Sequence, residues 1–167
     1  MATEQGPALP PRAALRDPAL AWATGLGVGF LKPAPGTWGS AAAALFWWFF
    51  LAPLAVWIQL LVCAGYFLTA WWACAQVGRR YGVHDAGEVV ADEVVGMWLA
   101  LAFAPHSLLA VILAFAVFRL LDVAKPGPIG WLDRSVSGGL GVLLDDVLAG
   151  ALTALVVLVA ATWLPLL

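Results

Sequence analysis

Residues 84–98 read His84-Asp85-Ala86-Gly87-Glu88-Val89-Val90-Ala91-Asp92-Glu93-Val94-Val95-Gly96-Met97-Trp98: four acids leading directly into an apolar run. The pattern returns downstream. Asp122 closes one apolar stretch, and Asp145-Asp146 open another that carries no further charge. Eight of the ten acids lie between Asp85 and Asp146, in a chain that is 63% hydrophobic. An ionised carboxylate beside hydrocarbon is costly unless it reaches water, a cation or a metal. Acids gathered at the ends of membrane-length segments therefore point to a cation-dependent site at the lipid headgroup level.

Composition agrees with a membrane setting. At 167 residues, 11% charged and with a mean hydropathy of +0.95, the chain reads as one small integral membrane domain. Its ten Trp suit two interfacial belts. A net charge of −2 gives no basic footprint for nucleic acid. The first forty residues lack an apolar region ending in a small-residue cleavage site, so no cleaved signal peptide is expected. Cys63 and Cys74 fall in one helical stretch, roughly 16 Å apart at 1.5 Å per residue, too far for a disulfide.

Punctuation by Gly and Pro divides the rest. Residues 1–20 read as a mobile N-terminal tail, and 21–167 as a single membrane-embedded domain. Residues 21–39, ending Pro33-Ala34-Pro35-Gly36-Thr37-Trp38-Gly39, read as a loop, with Ser40 as N-cap of the next helix. The apolar run 41–77 breaks at Pro53, giving helices over about 41–52 and 55–77. Residues 78–84 read as a polar turn. A third helix is expected from Asp85 to about residue 104, broken at Ala104-Pro105-His106-Ser107, and a fourth runs to Lys125-Pro126. Residues 129–141 read as a loop before a last helix over about 142–164. The expected fold is all-α: a small polytopic helical bundle with helical hairpins and an interfacial active site. Helix 41–52 is roughly 18 Å long, short for a hydrocarbon core about 30 Å thick.

Several motifs carry chemistry. On a helix Asp85, Glu88 and Asp92 would share a face and could hold a divalent cation, although Asp85-x-x-Glu88 is also a capping box. Asp92 and Glu93 enter the apolar run with no neighbouring Lys or Arg in sequence, which favours metal or acid–base use. Asp145-Asp146 would suit a helix N-terminus, yet adjacent carboxylates repel and a cation relieves them. Arg119-x-x-Asp122-x-x-Lys125 is either a surface ion network or a phosphate clamp. The turn Pro35–Ser40 leads into a helix start that could receive phosphate on its N–H groups. Cys74-x5-Arg80 has the spacing of cysteine phosphatases, but it sits at a helix end without a flanking His and is read as chance.

Together, Pro35-Gly36-Thr37-x-Gly39-Ser40, His84-Asp85-x6-Asp92-Glu93-x-x-Gly96-x-Trp98, and Phe118-Arg119-x-x-Asp122-x-x-Lys125-Pro126-x-Pro128-Ile129 resemble the phosphatidylglycerophosphatase A family of bacterial inner-membrane lipid phosphatases. The third segment runs on through Asp133-Arg134 and Gly138-Gly139-x-Gly141 to Asp145-Asp146-x-x-Ala149-Gly150. The likeness covers about residues 25–160. Glu88 falls where the family motif is open, and Gly127 replaces an aromatic between the prolines. The resemblance implies Mg²⁺-dependent hydrolysis of phosphatidylglycerophosphate to phosphatidylglycerol and phosphate, in phospholipid biosynthesis, on the cytoplasmic face of the inner membrane. On that reading Asp85, Asp92, Asp145 and Asp146 bind Mg²⁺, with Glu93 a further ligand or the base; Asp92 and Asp85 count among the catalytic groups. Lys125 and Arg119, with Gly36, Thr37 and Ser40, bind the substrate phosphate, and His84 and Asp122 are possible additions to the site. The partners implied are the phospholipid substrate and the membrane. The rival is a small divalent-cation or lipid transporter, whose site belongs nearer the bilayer midplane.

Threading 1–39, 78–93 and 122–146 on one side leaves every Lys and Arg in, or within a turn of, that side, which the positive-inside rule makes cytoplasmic. Cys labelling at positions Glu88, Gly130 and Leu167 is expected to find the first two inside and the last outside. Labelling of position Glu88 from the periplasm overturns this topology.

Overall fold

Every regular element among the described residues, 8–83 and 86–163 of this computed structural model, is helical, and no strand occurs among them. The α-helices are α1 (Pro18–Ala23), α2 (Pro35–Phe46), α3 (Val56–Tyr81), α4 (Ala91–Leu101), α5 (Leu108–Ala124), α6 (Pro128–Ser135) and α7 (Gly138–Trp163). A π-helical turn, Trp47–Leu51, prolongs α2, and short 3-10 turns lie at Pro11–Leu15 and Val28–Phe30. The breaks expected near Pro53, Pro105 and Pro126 are present. Ser107 caps α5 through its hydroxyl oxygen, and Lys125 ends that helix in the left-handed conformation, φ 42°.

Several boundaries differ from the sequence reading, each for a physical reason. The expected loop 21–39 is irregular only in its middle, because α1 runs to Ala23 and α2 begins at Pro35. Pro35 occupies the first turn of α2, where its missing N–H costs nothing. Ser40 lies inside the helix and donates its hydroxyl to the Gly36 carbonyl at 2.8 Å, so it is not an N-cap. Residues 86–90, expected to be helical, are pinned outside α4 by tertiary contacts. The Val90 N–H donates to the Ala23 carbonyl at 2.9 Å, and Val90 is fully buried. A methyl group on Gly39 would come within 2.7 Å of Val90 Cβ, and one on Gly25 within 3.0 Å of Val90 Cγ2. These glycines make room for one valine, and Gly25 also takes the left-handed conformation of its turn, φ 56°. The capping box fails with this segment: α4 starts at Ala91 with Val90 as an N-cap that makes no side-chain bond, and Glu88 precedes the helix.

The expected turn at 78–84 is helical as far as Tyr81, and Gly82 closes it at φ 66°. The expected loop 129–141 contains α6 and the first turn of α7. Asp145 and Asp146 thus sit about two turns inside α7, not at its N-terminus. Residues 8–20 are not a loose tail. Leu9 and Leu20 are buried, Asp17 caps α1, and Asp17 pairs with Arg80 at 2.7 Å. Continuity of α2 with the π turn gives a piece roughly 26 Å long at 1.5 Å per residue, longer than the sequence reading allowed.

α4 and α7 form the central pair, with α3 and α5 on their flanks. Their backbones meet at two glycines. A methyl group on Gly150 would overlap the Gly96 carbonyl, and one on Gly96 would come within 2.7 Å of the Asp146 carbonyl oxygen. Small residues at helix contacts permit such approach, which is the main attraction available between helices in lipid. Around this pair, the Trp47 Nε1–H donates to Gln59 Oε1 at 2.8 Å, and Gln59 Nε2 donates to the Leu54 carbonyl at 2.9 Å, tying α2 to α3. The Trp98 Nε1–H donates to the Ala43 carbonyl at 3.0 Å, tying α4 to α2. Cys63 and Cys74 are buried and form no disulfide.

α3 and α7, at 26 residues each, are long and apolar enough to cross a membrane. Only 28% and 44% of their most apolar windows are buried, the reverse of a soluble protein's core helices. Leu61, Leu68, Leu155 and Val159 are among the large apolar side chains left facing outward. Gly150→Ala should lower thermal stability in detergent by about 1–3 kcal/mol, the usual cost of overpacking. Gly65→Ala, in open space on α3, should not. Melting of the two purified variants beside the parent checks this contrast.

Candidate active site

The close approach of α4 and α7 has an immediate chemical result. Asp92 precedes Gly96 by four residues and Asp146 precedes Gly150 by four, so each acid shares a helix face with the glycine that makes the contact. Packing the glycines together brings the carboxylates together. Oxygens of Asp92, Glu93 and Asp146 lie within 4.8 Å of one another. They line a cavity of about 140 Å³ with Asp122, Lys125, Asp133 and Asp145.

Electrostatics in this cavity are uneven. Glu93 Oε2, Asp145 Oδ1 and Asp146 Oδ2 are buried and have no hydrogen-bond partner among the described residues. Arg119 pairs with Asp122, and its Nη1 stands 3.7 Å from Glu93 Oε1. Lys125 pairs with Asp133 and, at 2.6 Å, with Asp145. Partial burial works against the lysine's charge, but hydrogen bonds and attraction from Asp133 and Asp145 outweigh it and hold its pKa above the ordinary lysine range. No Lys or Arg pairs with Asp146 among the described residues. Buried carboxylate oxygens left in this state are costly. With Asp92, Glu93 and Asp146 at ligand spacing, the donor set is of the all-oxygen kind that suits a hard divalent cation.

The family model for phosphatidylglycerophosphatase A matches residues 21–161. The chain belongs to that family. A phosphatidylglycerophosphatase A from Haemophilus influenzae is 39% identical over 151 residues, covering 90% of this chain and 93% of the relative. One from Escherichia coli is 40% identical over 139 residues, covering 79% and 77%. A Bacteroides thetaiotaomicron protein, 35% identical over 144 residues and covering 82% and 89%, bears a provisional phosphatidylinositol-3-phosphatase description. No solved structure gives a significant match. The chain is therefore a phosphatase of lipid metabolism.

Of the candidate residues read from the sequence, Asp92, Glu93, Asp122, Lys125, Asp145 and Asp146 all line this one cavity. His84 and Asp85 lie outside the described residues. Asp145 stands apart from the three-oxygen group and turns one oxygen to Lys125. Arg119 pairs with Asp122 and lies beside Glu93, and Lys125 likewise pairs with Asp133 and Asp145, so both cations of the sequence-derived clamp have acidic neighbours. Ser40 is buried, with its hydroxyl bound inside α2, and the Thr37 N–H is taken by the Ala34 carbonyl at 3.0 Å. The Ser40 hydroxyl and the Thr37 N–H thus already have partners within the chain. Asp133 is the cavity acid that sequence reasoning left without a role. It sits in a polar stretch beside Arg134, where a charge has no apolar background against which to stand out.

Gly36 does belong at the site, for a different reason. A methyl group there would overlap Glu93 Oε1 and come within 3.0 Å of Arg119 Nη1. Misplacing a catalytic group by about 1 Å can cost on the order of a hundredfold. Gly36→Ala should therefore reduce phosphatase kcat/KM by at least about tenfold while leaving folding intact. Phosphate release and thermal melting measured on the same preparation check it.

Proposed function

We propose that this protein hydrolyses phosphatidylglycerophosphate to phosphatidylglycerol and inorganic phosphate, with Mg²⁺ as cofactor, as a polytopic protein of the bacterial inner membrane whose site faces the cytoplasm. The observation that carries the reading is the group formed by Asp92, Glu93 and Asp146, in which Glu93 and Asp146 each keep a buried oxygen unpartnered among the described residues, beside a lysine in the same cavity. Acids at the first turn of α4 and the last turn of α5 suit a headgroup-level site, whereas a transporter would hold them midway along broken helices. The two outward-facing apolar helices suit a substrate whose acyl chains stay in the bilayer.

In this reading Asp92 and Asp146 hold Mg²⁺, which commonly binds one or two carboxylates and keeps several waters. When bound, Mg²⁺ supplies charge neutralisation on the phosphoryl oxygens. Lys125 donates to the phosphate, and Asp145 fixes its ammonium group from behind. Glu93 takes the proton of the attacking water at Oε2, while Arg119 braces Oε1 and Gly36 packs closely against it. Water oxygen forms the new bond to phosphorus, the bond to the glycerol oxygen breaks, and that oxygen leaves as the alcohol with the proton that Glu93 took from the water. Positioning and charge stabilisation make up most of phosphoryl-transfer catalysis, and these side chains supply both.

Phosphate release from phosphatidylglycerophosphate in mixed micelles, with phosphatidylinositol 3-phosphate as the comparison lipid, tests the reading. Asp92→Asn and Asp146→Asn keep side-chain size but remove the charge a hard cation needs. Each should lose at least about a hundredfold in turnover, within the range of a misassembled metal site, and chelation should silence the parent enzyme. Near-normal turnover in both variants, at an unchanged Mg²⁺ requirement, rules the assignment out.

A further inference from the structure

Lys125 is held in an unusual way. It is not glycine, yet its backbone sits in the left-handed region at φ 42°, ψ 54°, a conformation that bulky side chains seldom adopt without compensation. The compensation comes largely from α6. A methyl group on Gly130 would come within 2.5 Å of the Lys125 carbonyl oxygen, so α6 lies directly against the lysine's main chain. Three residues further along, on the same helix face, Asp133 binds the lysine's side chain. From the opposite wall Asp145 binds the same nitrogen at 2.6 Å.

An ammonium group has three N–H donors. Two are spent on Asp133 and Asp145, and both carboxylates line the cavity that also holds Asp92, Glu93 and Asp146. With two donors fixed, the direction of the third is set by tetrahedral geometry. Asp145 is nearly buried, with 6% of its side chain accessible, whereas Asp133 has 36% and Lys125 31%. Asp133 thus holds the ammonium group from the more solvent-exposed side and Asp145 from the buried one.

From this geometry we propose that Asp133 is a positioning residue for the phosphate-binding step, holding Lys125 so that its remaining N–H points into the cavity at the substrate's phosphomonoester. This rests on the reading of Lys125 as the phosphate ligand and adds α6 to the working parts of the site. Without Asp133 the long lysine side chain regains its rotamer freedom, and ordering it must then be done by the substrate itself. The loss should therefore fall on binding rather than on the chemical step.

A double-mutant cycle separates this from a structural role. KM and kcat are measured for Asp133→Ala, Lys125→Ala, the double variant and Asp133→Asn, with the inhibition constant of inorganic phosphate alongside. Asp133→Ala should raise KM and the phosphate inhibition constant by about tenfold, with kcat falling much less. Asp133→Asn keeps an oxygen acceptor and should recover part of that loss. In the Lys125→Ala background, removing Asp133 should change nothing further, because the group it positions is gone. Additive losses in the double variant, or an Asp133→Ala enzyme with normal KM and reduced thermal stability, overturn the proposal. If Lys125→Ala leaves KM and phosphate inhibition at parental values, the phosphate-ligand reading fails, and the role of Asp133 fails with it.

Discussion

The contact between Gly96 and Gly150 governs the rest of this molecule. Any side chain at either position would drive α4 and α7 apart, and these two helices carry Asp92, Glu93 and Asp146, whose oxygens lie at ligand spacing. Because each glycine lies one turn beyond an acid on the same face, backbone packing and carboxylate spacing are a single constraint. Helices in lipid have little hydrophobic reason to associate, so close backbone approach is a main source of cohesion available to them. The attraction that holds the bundle together therefore also forces like charges into proximity. A divalent cation bound there would relieve the repulsion that packing creates.

Around that pair the site has two kinds of acid. Asp122, Asp133 and Asp145 have cationic partners from the chain itself, in Arg119 and Lys125. Glu93 and Asp146 keep a buried oxygen that the chain leaves unpartnered among the described residues, and so does Asp145 with the oxygen it does not give to Lys125. The first group orients side chains, and the second has capacity left for something from outside. Ion pairs of this kind contribute little to stability by themselves. Their use is geometric: they bring α5, α6 and α7 to one point.

The chemistry is more legible in the sequence than the helix ends are. Acids leading into Val-Leu-Ala-Trp segments are conspicuous because burying charge is so costly, and Asp92, Glu93 and Asp146 stand out for that reason. Asp133 lacks that contrast. The expected boundaries fail where tertiary contacts outweigh local preference. Gly25 and Gly39 signal flexibility in sequence, yet they are seats for Val90, a residue far along the chain. Likewise Asp85-x-x-Glu88 has the spacing of a cap, but the chain at Val90 is bound to Ala23 and α4 starts later. Pro53, Pro105 and Pro126 are surer guides, since a missing N–H and a fixed φ act locally.

The seat of Val90 also bears on the order in which the chain acquires its shape. Gly25 and Gly39 leave the ribosome long before the valine that fills the space they leave. Until Val90 arrives, α2 has a bare notch where its partner will lie, and nothing in the N-terminal third can close it. α7, which brings both Asp145 and Asp146, is made well after α4. Contacts so distant in sequence are slow to form. The carboxylate group of Asp92, Glu93 and Asp146 can therefore form only once α7 has packed against α4.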